Sequence, residues 1–176
     1  MRNEKGFSLI ELLIVVAIIL IIAAIAVPNL LRSRMAANES STAQSMRTIS
    51  TANTTYQSVY GIGYALDLSK LGPPAGGAVS SDSADLLDSA LAIAPQTKSG
   101  YNFTTYANDG NAGTQAEPVV QYTLVATPNS LQATGVSTFC VDATTVIRKD
   151  STGAAAAADD PGHSCDPGDG SVFPPL

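Results

Sequence analysis

From Phe7 to Leu31 the chain reads FSLIELLIVVAIILIIAAIAVPNLL, broken only by Ser8, Glu11, Pro28 and Asn29. Between Leu12 and Val27 no residue is polar. A membrane-spanning helix needs about 20 apolar residues at a rise of ~1.5 Å each, and this run supplies them. A helix that is apolar all round has no face for water, so it must be surrounded by lipid or by other apolar surface. A secretory signal peptide is the competing reading, with a basic start, an apolar run of roughly 7–15 residues and a small-residue cleavage site behind it. Residues 1–6 do carry Arg2 and Lys5, and Ala24-Ile25-Ala26 has the A-x-A form. That tripeptide lies inside the run, however, with Val27, Pro28, Leu30 and Leu31 continuing beyond it. An uncleaved anchor is the better generic reading. Arg2 and Lys5 on one flank balance Arg32 and Arg34 on the other, which leaves the positive-inside count undecided.

The helix is expected to continue past the apolar run. Ala43, Met46, Ile49, Ala52, Tyr56 and Val59 recur every three or four residues, with Met35 two turns earlier and Tyr60 beside Val59. They form an apolar stripe in a Ser/Thr/Asn/Gln-rich sequence, the pattern of an amphipathic helix laid on a folded domain. Gly61 and Gly63 end it. If helical throughout, Phe7–Tyr60 spans ~80 Å. Pro28 removes a backbone donor and crowds the carbonyl four residues back, so a kink or local unwinding is expected near Ala24–Pro28.

Residues 61–99 read as a connector. GPPAGGAVSS is a loop, and SSDSADLLDSALAIAP predicts a short helix of about three turns stopped by Pro95. After Lys98 the period changes to two. GYNFTTYA, PVVQYTLVAT and STFCVDATTVIRK read as strands, the last broken into a hairpin at Asp142–Ala143. Short loops between consecutive strands give an antiparallel meander of three or four strands. The expected class is α+β: one long helix, its apolar half protruding and its C-terminal half packed on that sheet. The last 26 residues, rich in Ala, Gly, Pro and Asp, read as coil.

Composition restricts the function. The chain of 176 residues carries a formal net charge of -6. From Met35 onward there are five Lys+Arg and thirteen Asp+Glu, or 5 − 13 = −8. Nucleic-acid binding needs a basic patch, which this body lacks. The single histidine, His163, stands in the Pro/Gly/Asp tail, against histidine-based catalysis. No phosphate loop, metal-ligand cluster or nucleophile–base pair is evident, and no enzymatic activity is expected. Cys140 and Cys165, an even count behind an export-like N-terminus, point to one disulfide rather than two free thiols.

Glu11 is the most informative single residue. A carboxylate at the centre of a membrane helix costs about 2.5–3.5 kcal/mol on insertion scales, less near the interface. It is either an idle boundary charge or one that meets a cation when helices pack. No Lys or Arg lies between Lys5 and Arg32. Cutting the chain before Phe7 would create an α-amine four residues from Glu11. An axially shifted neighbour could then bring its amine to this carboxylate and fix register.

Residues 5–31, KGFSLIELLIVVAIILIIAAIAVPNLL, closely resemble the N-terminal signature of type IV prepilins and type II secretion pseudopilins. That pattern has a short basic leader ending in Gly, a hydrophobic residue, and Glu at the fifth mature position; here these are Gly6, Phe7 and Glu11. Pro28 matches the helix-breaking proline. The resemblance implies a pilin fold and a division into leader 1–6, transmembrane and filament-core helix 7–34, and extracytoplasmic domain 35–176. A prepilin peptidase would cut between Gly6 and Phe7 and N-methylate Phe7. The helix would wait in the inner membrane until an ATPase-driven assembly machinery moved it into a cell-surface filament with other copies and other pilins. Glu11 would pair with a neighbour's Phe7 amine, and Pro28 would mark a segment able to melt. The alternative implied by the same signature is a pseudopilin of a periplasmic secretion pseudopilus.

Other candidates have plainer readings. Tyr56, Tyr60, Tyr64, Tyr101, Phe103 and Tyr106 read as core rather than as a charge-transfer cluster. No cofactor is expected; Asp159, Asp160, Asp166 and Asp169 could offer oxygen ligands to Ca2+ in the tail, but without EF-hand spacing they read as a solvated acidic loop. Asn38, Asn53 and Asn102 head N-x-S/T tripeptides, of which two fall on the helix.

Overall fold

One helix, α1, runs from Leu9 to Tyr60. The computed structural model describes residues 7–107, 110–151 and 165. The chain divides into two units, Met1–Arg34 and Met35–Leu176, and α1 contributes to each.

In the first unit every Phe, Leu, Ile and Val between Phe7 and Leu31 is exposed. A helix satisfies its backbone hydrogen bonds internally, which is what an apolar surrounding demands. The helix is unbroken through Ala24–Pro28, so the expected local unwinding is absent. Pro28 has no N–H to offer the Ala24 carbonyl, yet its fixed φ suits a helix, and Asn29 Nδ2 donates to the Ile25 carbonyl at 3.0 Å beside it.

In the second unit the stripe on α1 is buried at Met46, Ile49, Ala52 and Tyr56, with Ala43 partly covered. Val59 departs from the expectation and is 65% exposed. The buried line instead runs Met46, Ile49, Asn53, Tyr56, Tyr60, at spacings of three and four, and the rings of Tyr56 and Tyr60 lie 4.9 Å apart. Asn53 can occupy the line because its Oδ1 accepts the Ala65 N–H at 2.7 Å. The outer side is rich in Ser and Thr, which ordinarily compete with helix by bonding the backbone elsewhere. Here Thr48, Thr51, Thr54, Thr55 and Ser58 each donate to the carbonyl four residues back, at 2.9–3.1 Å. The competition is thus resolved inside the helix. Gly61, at φ 63°, closes α1 in the left-handed conformation, its N–H donating to the Gln57 carbonyl.

The connector differs from its expected three-turn helix. Asp67 caps a 3-10 turn at Leu68–Leu71, and α2 is only Ser89–Ala92. The reason lies in residues 84–87. Asp85 stands at φ 51°, and the N–H groups of residues 84–87 donate to the Lys70, Leu71 and Gly72 carbonyls. That backbone is committed to a neighbour and is not free to coil. Asp88, accepting from the N–H groups of Ala90 and Leu91, is the N-cap that starts α2.

Among the described residues the sheet has five antiparallel strands in sequence order: β1 Thr97–Lys98, β2 Tyr101–Ala107, β3 Tyr122–Pro128, β4 Thr138–Asp142 and β5 Arg148–Asp150. The expected three or four become five because β1, two residues long, is too short to show a period of two. The hairpin break after Asp142 is present, with Thr145 at φ 62° in the turn. Strand β3 begins at Tyr122, later than the run from Pro118 suggested, because Val119 pairs instead with Gly63.

Alternation along the strands builds two clusters. Tyr101, Phe103, Tyr122, Leu124, Ala126, Phe139 and Val141 join Met46, Ile49, Ala52 and Tyr56 in the main core. Val125, Cys140 and Cys165 form the second cluster. Cys140 and Cys165 are joined by a disulfide with Cα atoms 5.8 Å apart.

Candidate functional site

The functional segment is built by the first turn of α1 and the apolar run behind it. Gly6 lies outside the described residues; Phe7 is described and 83% exposed. Ser8 precedes the helix and Leu9 opens it. Glu11, in the first turn, reaches back and accepts the Ser8 N–H on Oε2 at 3.0 Å. One half of a capping box is therefore made: a Glu three positions into the helix satisfies the backbone donor of the residue that precedes it. A negative charge in that turn also complements the positive end of the helix dipole.

This contact was missed in reading the sequence, although its signal is present. Ser8-Leu9-Ile10-Glu11 has the S-x-x-E spacing of a capping box. The structure gives Glu11 a partner within its own chain and brings no cationic side chain to it among the described residues.

Behind Glu11, α1 is long and apolar enough to cross a membrane, by length and composition. None of its most apolar 18-residue window is buried.

Comparison with known proteins adds sequence identity to this geometry. Residues 1–27 match the family described as "Prokaryotic N-terminal methylation motif". The N-terminal segment is also 67% identical over 39 residues to a protein of Thermus thermophilus, "Type IV wide pilus major component PilA4". Those 39 residues are 22% of this chain and 30% of that relative. No solved structure matches the chain. The likeness therefore belongs to the N-terminal segment, while the body is described by its own fold.

The remaining candidates sort by burial. Tyr56, Tyr101 and Phe103 are buried in the core, and Tyr60 and Tyr64 pack against it. The side chain of Tyr106 lies outside the described residues. Tyr122 joins them, its ring 4.7 Å from that of Tyr64. Burial pushes the Tyr122 phenol up to about 12, which marks a core hydroxyl, here at 3.1 Å from Ser50 Oγ. Burial likewise raises the Tyr101 phenol, which donates to the Ser137 carbonyl. Asn53 is fully buried, so no glycan can be attached to it in the folded chain. Asn38 donates to the Thr134 carbonyl at 2.8 Å, and Asn102 is exposed on β2.

His163, Asp159, Asp160, Asp166 and Asp169 lie outside the described residues. Among the described residues no group of three or more His, Cys, Asp or Glu is placed to hold a metal ion.

Glu39 is the charged residue that sequence reading passed over. From α1 its Oε1 accepts the Val136 and Ser137 N–H groups at 3.0 and 3.1 Å. Its Oε2 takes the Lys149 ammonium of β5 at 3.0 Å. Nothing in the local sequence marks Glu39, because its partners lie 97 to 110 residues away.

Proposed function

We propose that this chain is a structural, non-enzymatic subunit of a type IV pilus filament. In this reading it enters the inner membrane as a prepilin through residues 7–34. A prepilin peptidase cleaves it after Gly6 and methylates the new Phe7 amine. Assembly machinery then moves it into a surface filament of copies of itself and other pilins. The observation that carries the reading is an exposed, unbroken apolar helix directly behind a prepilin motif. Such a helix is accommodated in lipid as a lone subunit; once withdrawn, it lowers its free energy only by packing against its like. The pilus component related to its N-terminal segment supports a fibre.

Glu11 has two roles here, one before and one after cleavage. In the single chain it holds the Ser8 N–H. In a bundle it takes the Phe7 amine of a neighbour, and a buried pair of this kind fixes axial register.

Two substitutions separate these roles. Glu11→Gln keeps an acceptor for Ser8 but loses the charge, and Glu11→Ala loses both. Both variants are expected to insert in the membrane and to be depleted from sheared fibres. Mass spectrometry of wild-type fibres should give a chain beginning at methylated Phe7. Normal fibre yield from Glu11→Gln would remove the charge pairing, and fibres retaining Met1 would remove the processing step.

A further inference from the structure

We infer that Asp142 is a positioning residue for the Cys140–Cys165 disulfide, holding Cys165 beside its partner independently of the sulfur–sulfur bond. Asp142 is a carboxylate only 5% exposed, and the filament reading gives it no role. It stands two residues from Cys140 on β4, so strand alternation sends both side chains to the same face of the sheet. Cys165 meets both of them there. Its sulfur is bonded to Cys140, and its backbone N–H donates to Asp142 Oδ2 at 3.1 Å.

The carboxylate is aimed before Cys165 arrives. Asp142 Oδ1 accepts the Thr144 N–H at 2.9 Å and the Thr144 hydroxyl at 2.6 Å. Those two bonds belong to the β4–β5 turn and fix the plane of the carboxylate. Oδ2 is left pointing where Cys165 docks. Cys165 is itself fully buried against Val125 and Cys140, so its amide needs an acceptor from the protein. A charged acceptor makes the stronger hydrogen bond of the available kinds.

The covalent step requires a disulfide-bearing oxidant, R–S–S–R. The thiolate of one cysteine attacks a sulfur of the oxidant, forming a mixed disulfide and releasing RS−. The second cysteine's thiolate attacks the protein sulfur of that mixed disulfide, forming the Cys140–Cys165 bond and releasing a second RS−. The cysteines lose two protons and two electrons, and the oxidant takes up the electrons. Asp142 touches neither sulfur in these steps. It raises the local concentration of one thiol at the other.

The test uses the full chain in detergent micelles, equilibrated in buffers of oxidised and reduced glutathione. Thiols are trapped by alkylation and counted by mass, which gives the effective concentration of one cysteine at the other. Asp142→Ala is expected to lower it about tenfold, the scale of one charge-assisted hydrogen bond. Thr144→Ala removes a bond to Oδ1 but leaves Oδ2, and should stay within about twofold of wild type on the same scale. An Asp142→Ala value within twofold of wild type would overturn the proposal. So would an equal loss in Thr144→Ala, since the turn alone would then account for it. Should Asp142→Ala fail to fold, hydrogen exchange at the Cys165 amide in Cys140→Ser decides. Slow exchange without the sulfur bond supports docking by Asp142, and exchange at the free-chain rate overturns it.

Discussion

Glu39 shows how one carboxylate can couple a helix to two distant segments. Burial by itself would raise its pKa. The Lys149 ammonium and the Val136 and Ser137 N–H groups outweigh burial and hold it below its ordinary 4.5. A carboxylate whose folded pKa is depressed binds its proton less readily when folded than when unfolded. Its stabilisation is therefore complete above about 4.5 and is lost as pH falls through the lower folded value. Glu39→Gln keeps an oxygen for the two amides but turns an NH2 toward Lys149. It should cost about 2 kcal/mol at neutral pH and flatten the acid limb of a stability–pH curve measured by denaturant titration. An unchanged acid limb would show that other carboxylates set it. Glu39 was not legible in the sequence because its meaning is entirely non-local. Glu11 was legible as a charge in an apolar run, whereas its bond to Ser8 needed the capping spacing to be noticed.

At the level of elements, the two regular patterns were the readable ones. The apolar stripe on α1 and the period of two after Lys98 both reflect burial on one face, and burial leaves a mark at fixed intervals. Val59 was assigned to the stripe because hydrophobicity was counted without Asn53, a polar residue buried by one bond to Ala65. The connector was misread for a related reason. SADLL has the composition of a helix, but residues 84–87 use their N–H groups on the carbonyls of Lys70, Leu71 and Gly72. Tertiary hydrogen bonds override propensity there, and no local signal reports them.

Gly63 marks where α1 hands over to the sheet. It sits at φ 87°, and a Cβ built on it would overlap the Val119 backbone. Tyr64 donates to the Val119 carbonyl at 2.9 Å, and Val119 donates to that of Ile62 at 3.2 Å, so the two segments cannot part without losing both bonds. Gly63→Ala should therefore destabilise the second unit by more than about 2 kcal/mol, checked by chemical denaturation. Gly61→Ala, with open space around its Cβ, should cost only the strain of its φ of 63°, about 1 kcal/mol.

At the scale of the molecule, the division into units at Arg34 and Met35 has a physical content. Among the described residues, the buried members of the main core lie at or beyond Met46, and Ala43 packs against them. A chain beginning at Met35 should fold with its disulfide, remain soluble without detergent, and melt cooperatively by circular dichroism. Aggregation of that fragment would mean that the apolar run takes part in the fold. The disulfide closes a separation of 25 residues, for which chain entropy assigns about 3 kcal/mol, so reduction should lower the midpoint measurably. The cysteine pairing was open to a reader of the sequence because the chain holds two cysteines. The carboxylate beside Cys165 was not, since strand neighbours become face neighbours only once the sheet is formed.

The hydroxyls on the outer side of α1 carry one last consequence. A threonine whose proton is already held by a carbonyl of its own helix has only a methyl and lone pairs left to show the solvent. Thr48, Thr51, Thr54 and Thr55 are in that condition, and Ser58 differs only in lacking the methyl. Drying such a row strands no donor, so a stretch that looks hydrophilic by composition is far less wedded to water than its letters suggest.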